Sequence, residues 1–433
     1  MAPDIDLLSG WLEDSRGGSP AVRVLRSLGV QVQRVEKPVG EKEASQLLAR
    51  AFQDKQTIFP CGGGTSLSSG VLPEKVDLAL DTTRMNKILA FDPQNLNLEV
   101  MAGMTLDEIN DFLAGQGRGF YLPLDTPSSH RATIGGAYAA NSSGPLRQRY
   151  GTIRDQVLGV RGVDSRGQAV GFGGKTVKNV SGYDLTKFLI GSAGSLCLIT
   201  SLSLRVYPLP EASSLCDLVF GTLEELEKFL AAFRSSVLVS SAVVVTEIAG
   251  GPSVSSTAGA RFRVIAVFEG HPLAVERQNK DLLKLAGEFG GCGHARAGRE
   301  MVVRGLQSAV NPDRPLEGSL ILRVSVPIGQ GPRTFAEVQK LSHENGISVK
   351  PLLFAGNGLL ILYSEGTLPK KTMGLIKELQ ETVRAAAGFV APLLAPREIL
   401  QAWGARVEPA LHRLVLGPIK EKLDPTGVFP PIL

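Results

Sequence analysis

The tightest constraint in this chain is three consecutive glycines, Gly62-Gly63-Gly64, set directly after the apolar run Thr57-Ile58-Phe59 and Pro60. A strand that ends in such a run turns where side chains do not fit, and glycine reaches positive φ without steric cost. Successive N–H groups in that conformation converge on one point and make a concave site for an anion. Thr65, Ser66, Ser68 and Ser69 follow at once and add hydroxyl donors. A hydrogen bond to a charged oxygen is worth about 1.5–3 kcal/mol, so roughly four or five would anchor a pyrophosphate. A Gly/Ser-rich surface loop reads the same way, and the rest of the chain decides between the two.

The composition narrows the classes. A chain of 433 residues suits two or three domains with large cores, and 43% hydrophobic with 20% charged residues is ordinary for a globular protein. The 46 basic and 42 acidic residues nearly balance and form no Lys/Arg block, which argues against nucleic acid as a partner. Cys61, Cys197, Cys216 and Cys292 are widely spaced with no C-x-x-C pair. That excludes zinc ribbons, iron–sulfur ligation and a disulfide framework, and fits a reducing cytoplasm. The five histidines have no metal-ligand spacing, so no metal is expected. The N-terminus, Met-Ala-Pro-Asp-Ile-Asp, has no signal-peptide core, and no uncharged apolar run approaches about 18 residues. Peripheral membrane attachment through a partner stays open.

Local patterns predict an α+β fold. Val30 to Val35 alternates like a strand, and Glu41–Phe52 carries Ala44, Leu47, Leu48 and Ala51 at helical spacing. Leu78–Asp81, Ile88–Phe91 and Leu96–Val100 read as short strands, and Thr105 with Glu108 makes a capping box for a helix to about Leu113. The block from Pro123 to Gly151 is the second informative stretch, because nearly every side chain between Thr133 and Gly144 is small. That suits backbone laid against a flat ligand, with Gly135-Gly136 opening a short helix whose N-terminus faces an anion. Close helix–sheet packing accounts for the same residues without a ligand.

Val157–Val163 and Ala169–Phe172 form a hairpin-like pair, and Ala169-Val-Gly-Phe-Gly-Gly-Lys175-Thr176 fits a relaxed P-loop pattern. A P-loop needs a long helix straight after it. Val177-Lys-Asn-Val-Ser-Gly182 is β-branched and broken by glycine, so a nucleoside-triphosphate site is rejected. The third block, Gly182 to Pro208, passes through Gly191 and Gly194 into a strand from Leu196 to Val206.

These three blocks, in this order, resemble the PCMH-type FAD-binding domain of the vanillyl-alcohol oxidase superfamily, and within it the FAD-binding subunits of bacterial glycolate oxidases. The resemblance is strong over residues 30–210 and weak beyond. It implies an FAD-binding domain of two α+β subdomains over 30–210 and a cap over 211–433 with an antiparallel sheet. It implies that Gly62, Gly63, Gly64, Thr65 and Ser66 bind the pyrophosphate. Pro123, Thr133, Gly135, Gly136, Asn141 and Ser143 then line the flavin and phosphates, Gly182 and Tyr183 lie near the dinucleotide, and Ile199 contacts the adenine side. The FAD is expected to be non-covalent, since the loop lacks the histidine that carries covalent flavin in relatives.

Relatives that oxidise 2-hydroxy acids carry a Gly-Asp-Gly-Asn-x-His stretch that binds metal and a Glu-His-Gly that holds the base. Here Phe354-Ala-Gly-Asn-Gly358 and Pro396-Arg-Glu-Ile399 stand in their places. Arg323 falls where relatives place a carboxylate-binding cation, and a solvated strand arginine is the plain alternative. The resemblance thus implies a subunit of a glycolate, lactate or other 2-hydroxyacid oxidoreductase that oxidises the substrate or relays its electrons through FAD. Its expected partners are a homologous FAD-containing subunit and an iron–sulfur electron-transfer subunit, in the cytoplasm or peripheral to the plasma membrane. A non-catalytic FAD-binding scaffold is the alternative.

Overall fold

The glycine loop leaves the C-terminal end of a parallel strand. The structure, a computed structural model, describes residues 19–174, 184–248, 261–310, 320–364, 369–403 and 412–432. β1 (Gln31–Glu36), β2 (Ile58–Cys61) and β3 (Lys75–Asp81) form a parallel sheet in the order β1-β3-β2. The helix Glu41–Gln53 joins β1 to β2 and buries Ala44, Leu48 and Ala51, the stripe that its spacing predicts.

A second sheet is antiparallel. β4 (Ile88–Asp92), β5 (Asn97–Met101), β7 (Val157–Val163), β8 (Ala169–Gly173) and β9 (Leu198–Arg205) run in the order β4-β5-β9-β7-β8. β6 (Phe120–Tyr121) pairs separately with β10 (Tyr207–Pro208). The helix Leu106–Ala114 starts at the expected capping box: Thr105 Oγ1 accepts from Glu108 N at 3.2 Å, and Glu108 Oε2 accepts from Thr105 N at 2.8 Å.

From residue 212 onward the chain builds one eight-stranded sheet. Its strands are β11 (Ala212–Phe220), β12 (Ala242–Glu247), β13 (Phe262–Gly270), β14 (Cys292–Ala297), β15 (Leu320–Ser325), β16 (Val349–Phe354), β17 (Leu359–Ser364) and β18 (Phe389–Leu394). The order is β14-β11-β13-β12-β16-β17-β15-β18, and every pairing is antiparallel. One face carries the helices Leu223–Arg234, Pro272–Glu288, Gly331–Asn345 and Pro369–Ala385 over a core that includes Phe229, Phe268, Phe335 and Ile376. The other face packs Val244, Ile265 and Ile361 against Val24 and Leu28 at the N-terminus and Val302 and Leu306 of the helix Arg299–Val310.

Three of these strands carry no readable signal: β14 is an exposed edge, Cys-Gly-His-Ala-Arg-Ala, β16 contains Pro351 and β18 contains Pro392. A strand predicted over Val237–Thr246 begins only at Ala242, because Val237 and Val239 are in an exposed loop.

The last residues return to the first sheet. Ile58 N donates to Val428 O at 2.6 Å, and Val428 and Phe429 pack with Ile58, Leu78 and Leu80. Lys420 Nζ donates to Ser195 O and to Asp424 Oδ2, both at 2.6 Å, while the Asp424 carboxylate accepts from Val428 N and Phe429 N at 2.9 Å. Lys420 and the buried Asp424 therefore form a latch that ties the C-terminal segment to the first sheet.

Candidate functional site

Each glycine of the triplet is required by what lies opposite it. A Cβ on Gly62 would come 2.2 Å from Thr133 Oγ1, one on Gly63 would come 1.7 Å from Arg131 O, and Gly64 has φ +77° against Ala21. The loop is thus pressed onto the segment that the sequence marks as its companion. Arg131 braces it from the other side, donating from Nη2 to Gly63 O at 3.2 Å.

Packing consumes the side chains but leaves the backbone donors open. The N–H groups of Gly63, Gly64, Thr65 and Ser66 donate to no acceptor among the described residues. They lie in a cleft of about 90 Å³ bounded by the loop, by Thr133, Gly135 and Gly136, by Ala193 and Gly194, and by Leu198 and Ile199 on β9. Gly64 is buried and Gly63, Thr65 and Ser66 are half-buried, and four open donors at one concave wall fit an anionic ligand.

Two sequence expectations need correction here. The short helix Ile134–Ala140 does not present its N-terminus to an anion. Ile134 N donates to Met104 O at 2.9 Å, Gly135 N to Ala102 O at 2.9 Å and Gly136 N to the Thr133 hydroxyl at 3.3 Å. Its first donors are spent on packing, and Gly135 is small because a Cβ would meet Ala102 at 2.7 Å. Nor do all four loop hydroxyls face the cleft. Ser68 exchanges hydrogen bonds with the backbone of Ala395, and Ser69 donates to Ser66 O.

The structure brings Gly62, Gly63, Gly64, Thr65, Ser66, Thr133, Gly135, Gly136 and Ile199 together at this cleft. Pro123, Asn141 and Ser143 are not in its lining. Asn141 is the left-handed cap that ends the Ile134–Ala140 helix, and the Ser143 hydroxyl accepts from Ile153 N at 3.0 Å. Gly182 and Tyr183, like the rejected P-loop residues Lys175 and Thr176, fall outside the described residues. Arg323 is on β15, on the sheet face turned toward the first half of the chain, and its buried Nε has no hydrogen-bond partner among the described residues. Burial depresses its pKa, and the Arg147 guanidinium adds to that. It lines neither the cleft nor the larger cavity beside it.

Cys61 and Cys197 also line the cleft. Burial pushes the Cys61 thiol well above the usual range and takes Cys197 up to about 12. Both are protonated at neutral pH and poor nucleophiles. In the Pro396–Ile399 stretch, Arg397 ties the end of β18 to the N-terminal region, donating to Gly29 O at 2.8 Å and pairing with Glu74 at 3.0 Å.

Residues 32–173, a stretch that includes the glycine loop, match the family described as FAD binding domain. The chain is similar to the D-lactate dehydrogenase of Archaeoglobus fulgidus, 35% identical over 44% of this chain and 42% of that protein. It is similar to glycolate oxidase subunit GlcD of Bacillus subtilis, 37% identical over 40% of this chain and 37% of that one. It is also 32% identical to the D-2-hydroxyglutarate dehydrogenase of Xanthomonas citri over 46% of this chain and 42% of the relative. Each of these matches spans less than half of the relative's own length. In fold, the chain superposes on alkyldihydroxyacetonephosphate synthase with a TM-score of 0.69 and 19% identity, over 91% of this chain and 76% of that one. The architecture is that of a PCMH-type FAD-binding domain followed by a sheet-rich C-terminal unit.

Proposed function

We propose that this protein is an FAD-dependent oxidoreductase that oxidises a small 2-hydroxy acid to the 2-oxo acid, as the FAD-binding subunit of a larger complex. The observation that carries the reading is the set of open N–H donors from Gly63 to Ser66, in a cleft that side chains at those glycines would fill. In this reading the loop, with the Thr65 and Ser66 hydroxyls, holds the pyrophosphate, and Ile199 flanks the adenine side. Pro123, Asn141 and Ser143 act from neighbouring backbone, and Gly182 and Tyr183 are assigned to the dinucleotide from the sequence resemblance alone. The flavin is non-covalent, which the raised Cys61 thiol supports. Bound FAD supplies the acceptor for a hydride from the substrate carbon. The protein's own task is to hold the acid, exclude water and take the hydroxyl proton.

The substrate class is carried over from relatives named for D-lactate, glycolate and D-2-hydroxyglutarate. The name of one of them as a glycolate oxidase subunit supports partners of the same kind: a homologous FAD-containing subunit and an iron–sulfur subunit, with any membrane contact made through them. Among the described residues no helix is long and apolar enough to cross a membrane. We place the division between the FAD-binding unit, 30–210, and the cap, 211–433, just before β11. A relay or scaffold role is the second reading, favoured by Arg397 serving as a tie in the stretch where relatives hold a base. Anaerobic addition of glycolate, D-lactate or D-2-hydroxyglutarate to the FAD-loaded chain separates them. Bleaching of the flavin supports oxidation by this chain, and bound flavin that none of the three bleaches favours the second reading.

A further inference from the structure

By the resemblance, Phe354–Gly358 and Pro396–Ile399 stand where a metal-binding stretch and a base would fall and match neither motif, yet a second cavity holds groups suited to the same reaction. It encloses about 320 Å³ between the helix Leu106–Ala114, the segment 121–129 and the helix Arg299–Val310. One peptide serves both sites: Asp125, Thr126 and Ser129 line this cavity, and Thr133, Gly135 and Gly136 line the cleft. Thr133 follows Ser129 by four residue steps, a span of at most about 14 Å. The two sites are neighbours.

The lining is incomplete in a specific way. Thr126 Oγ1 has no hydrogen-bond partner among the described residues although Thr126 is only 3% exposed, and the equally buried Tyr121 Oη has the Tyr150 hydroxyl beside it. Leaving a buried hydroxyl unpaired is destabilising, and a polar ligand would offset that cost. Arg299 lines the same space, with its guanidinium carbon 4.5 Å from the Tyr121 ring centroid, and forms no ion pair among the described residues. Of the two inner carboxylates, Glu269 accepts from Tyr150 Oη at 2.9 Å. The other, Asp125, accepts the Leu146 N–H, at 3.0 and 3.2 Å to its two oxygens, and its own backbone N–H. Asp107 and Asp111 belong to the Leu106–Ala114 helix at the cavity's edge.

We propose that this cavity receives the 2-hydroxy acid, with Arg299 holding its carboxylate, the Tyr121 and Thr126 hydroxyls bonding its oxygens, and Asp125 taking the proton of the 2-hydroxyl. The inference rests on the oxidation proposed above. In that step the O–H proton passes to the Asp125 carboxylate, the C–H electron pair leaves as hydride to bound FAD, and the carbonyl forms. The assignment moves the carboxylate-binding cation from Arg323 to Arg299. The charged groups that face Asp125 are Glu269 from β13 and Arg147 from the helix Arg147–Tyr150. Burial pushes Asp125 up to about 7, against the pull of the Leu146 N–H, with Glu269 adding to the rise and Arg147 opposing it. A carboxylate with that pKa is matched to proton transfer at neutral pH.

The test uses the full chain loaded with FAD, with flavin uptake recorded for every variant to show that it is folded. Anaerobic bleaching by glycolate, D-lactate and D-2-hydroxyglutarate is followed from pH 5.5 to 9, and binding is measured separately through the perturbation of flavin absorbance by oxalate. The wild-type rate should rise about tenfold per pH unit and level off above about 7. Asp125→Asn should slow bleaching about 10²–10⁴-fold and remove the break near pH 7 while leaving the oxalate Kd within about threefold. Asp125→Glu should restore a titrating limb. Arg299→Gln should weaken oxalate about 10–100-fold and keep the break. Bleaching by Asp125→Asn with the wild-type rate and break overturns the inference. So does an unchanged oxalate Kd in Arg299→Gln, or bound flavin that no hydroxy acid reduces. A chain that takes up no FAD refutes the parent reading instead, and the inference falls with it.

Discussion

A carboxyl held near neutrality against its solvent preference makes the folded chain sensitive to pH, and Asp125 sets the size of that effect. Its pKa rises from 3.8 to about 7 on folding, chiefly by burial. The folded state therefore binds more protons than the unfolded chain between these values. The contribution is fully present below the unfolded pKa and is lost as pH rises through about 7. Roughly three units at 1.36 kcal/mol each give an upper bound of about 4 kcal/mol. Asp125→Asn cannot ionise, and its amide oxygen still accepts the Leu146 N–H. It leaves an NH₂ to satisfy, at about 1–3 kcal/mol. The variant should thus melt within a few degrees of wild type at pH 5 and above it at pH 8. The assay is thermal unfolding of FAD-free protein at half-unit steps from pH 5 to 8.5, both proteins side by side. A difference in Tm that does not change with pH would refute the raised pKa. A stability gain in the variant together with its lost turnover would mark Asp125 as a group kept for function at the expense of stability.

Other substitutions separate packing from binding in the glycine loop. Thr65→Ala and Ser66→Ala should each weaken FAD about tenfold or more with little change in Tm, whereas Ser68→Ala, which loses its bonds to Ala395, should leave FAD affinity within about twofold. Unchanged affinity in both Thr65→Ala and Ser66→Ala would remove the hydroxyls from the phosphate site. In the C-terminal latch, Lys420→Met strands the Asp424 carboxylate, which is fully buried, and should cost about 3–5 kcal/mol, read as a fall in Tm. A variant that melts with wild type would show that the latch is not structural.

The first half of the fold was legible because its signals are local. The capping box at Thr105, the stripe on Glu41–Gln53 and the hairpin from Val157 need only short spacings, and each forms as the sequence predicts. The glycine loop and the Thr133–Gly136 stretch were readable as partners of one site because both lack side chains where backbones meet. What the glycines do was less visible: Gly63 is fixed by Arg131 O, and the donors of Gly135 and Gly136 go to Ala102 and Thr133. No spacing rule reports a contact across 68 residues. Asp125 escaped notice for the same reason, since its shift depends on Leu146, Glu269 and the burial that the assembled sheets create. Edge strand β14 escaped because an exposed strand needs no alternation to be stable once β11 pairs with it.

The central claim is that the open N–H groups from Gly63 to Ser66 hold the pyrophosphate of one FAD. Titration of the flavin-free chain with FAD, followed by flavin fluorescence and by absorbance of the washed protein, tests it most directly when FMN and riboflavin are titrated in parallel. The account predicts one FAD per chain, released by acid or denaturant without a covalent remainder, and affinity lower by at least about tenfold for FMN, which lacks the pyrophosphate. Equal affinity for FAD, FMN and riboflavin, or no flavin uptake, would contradict it.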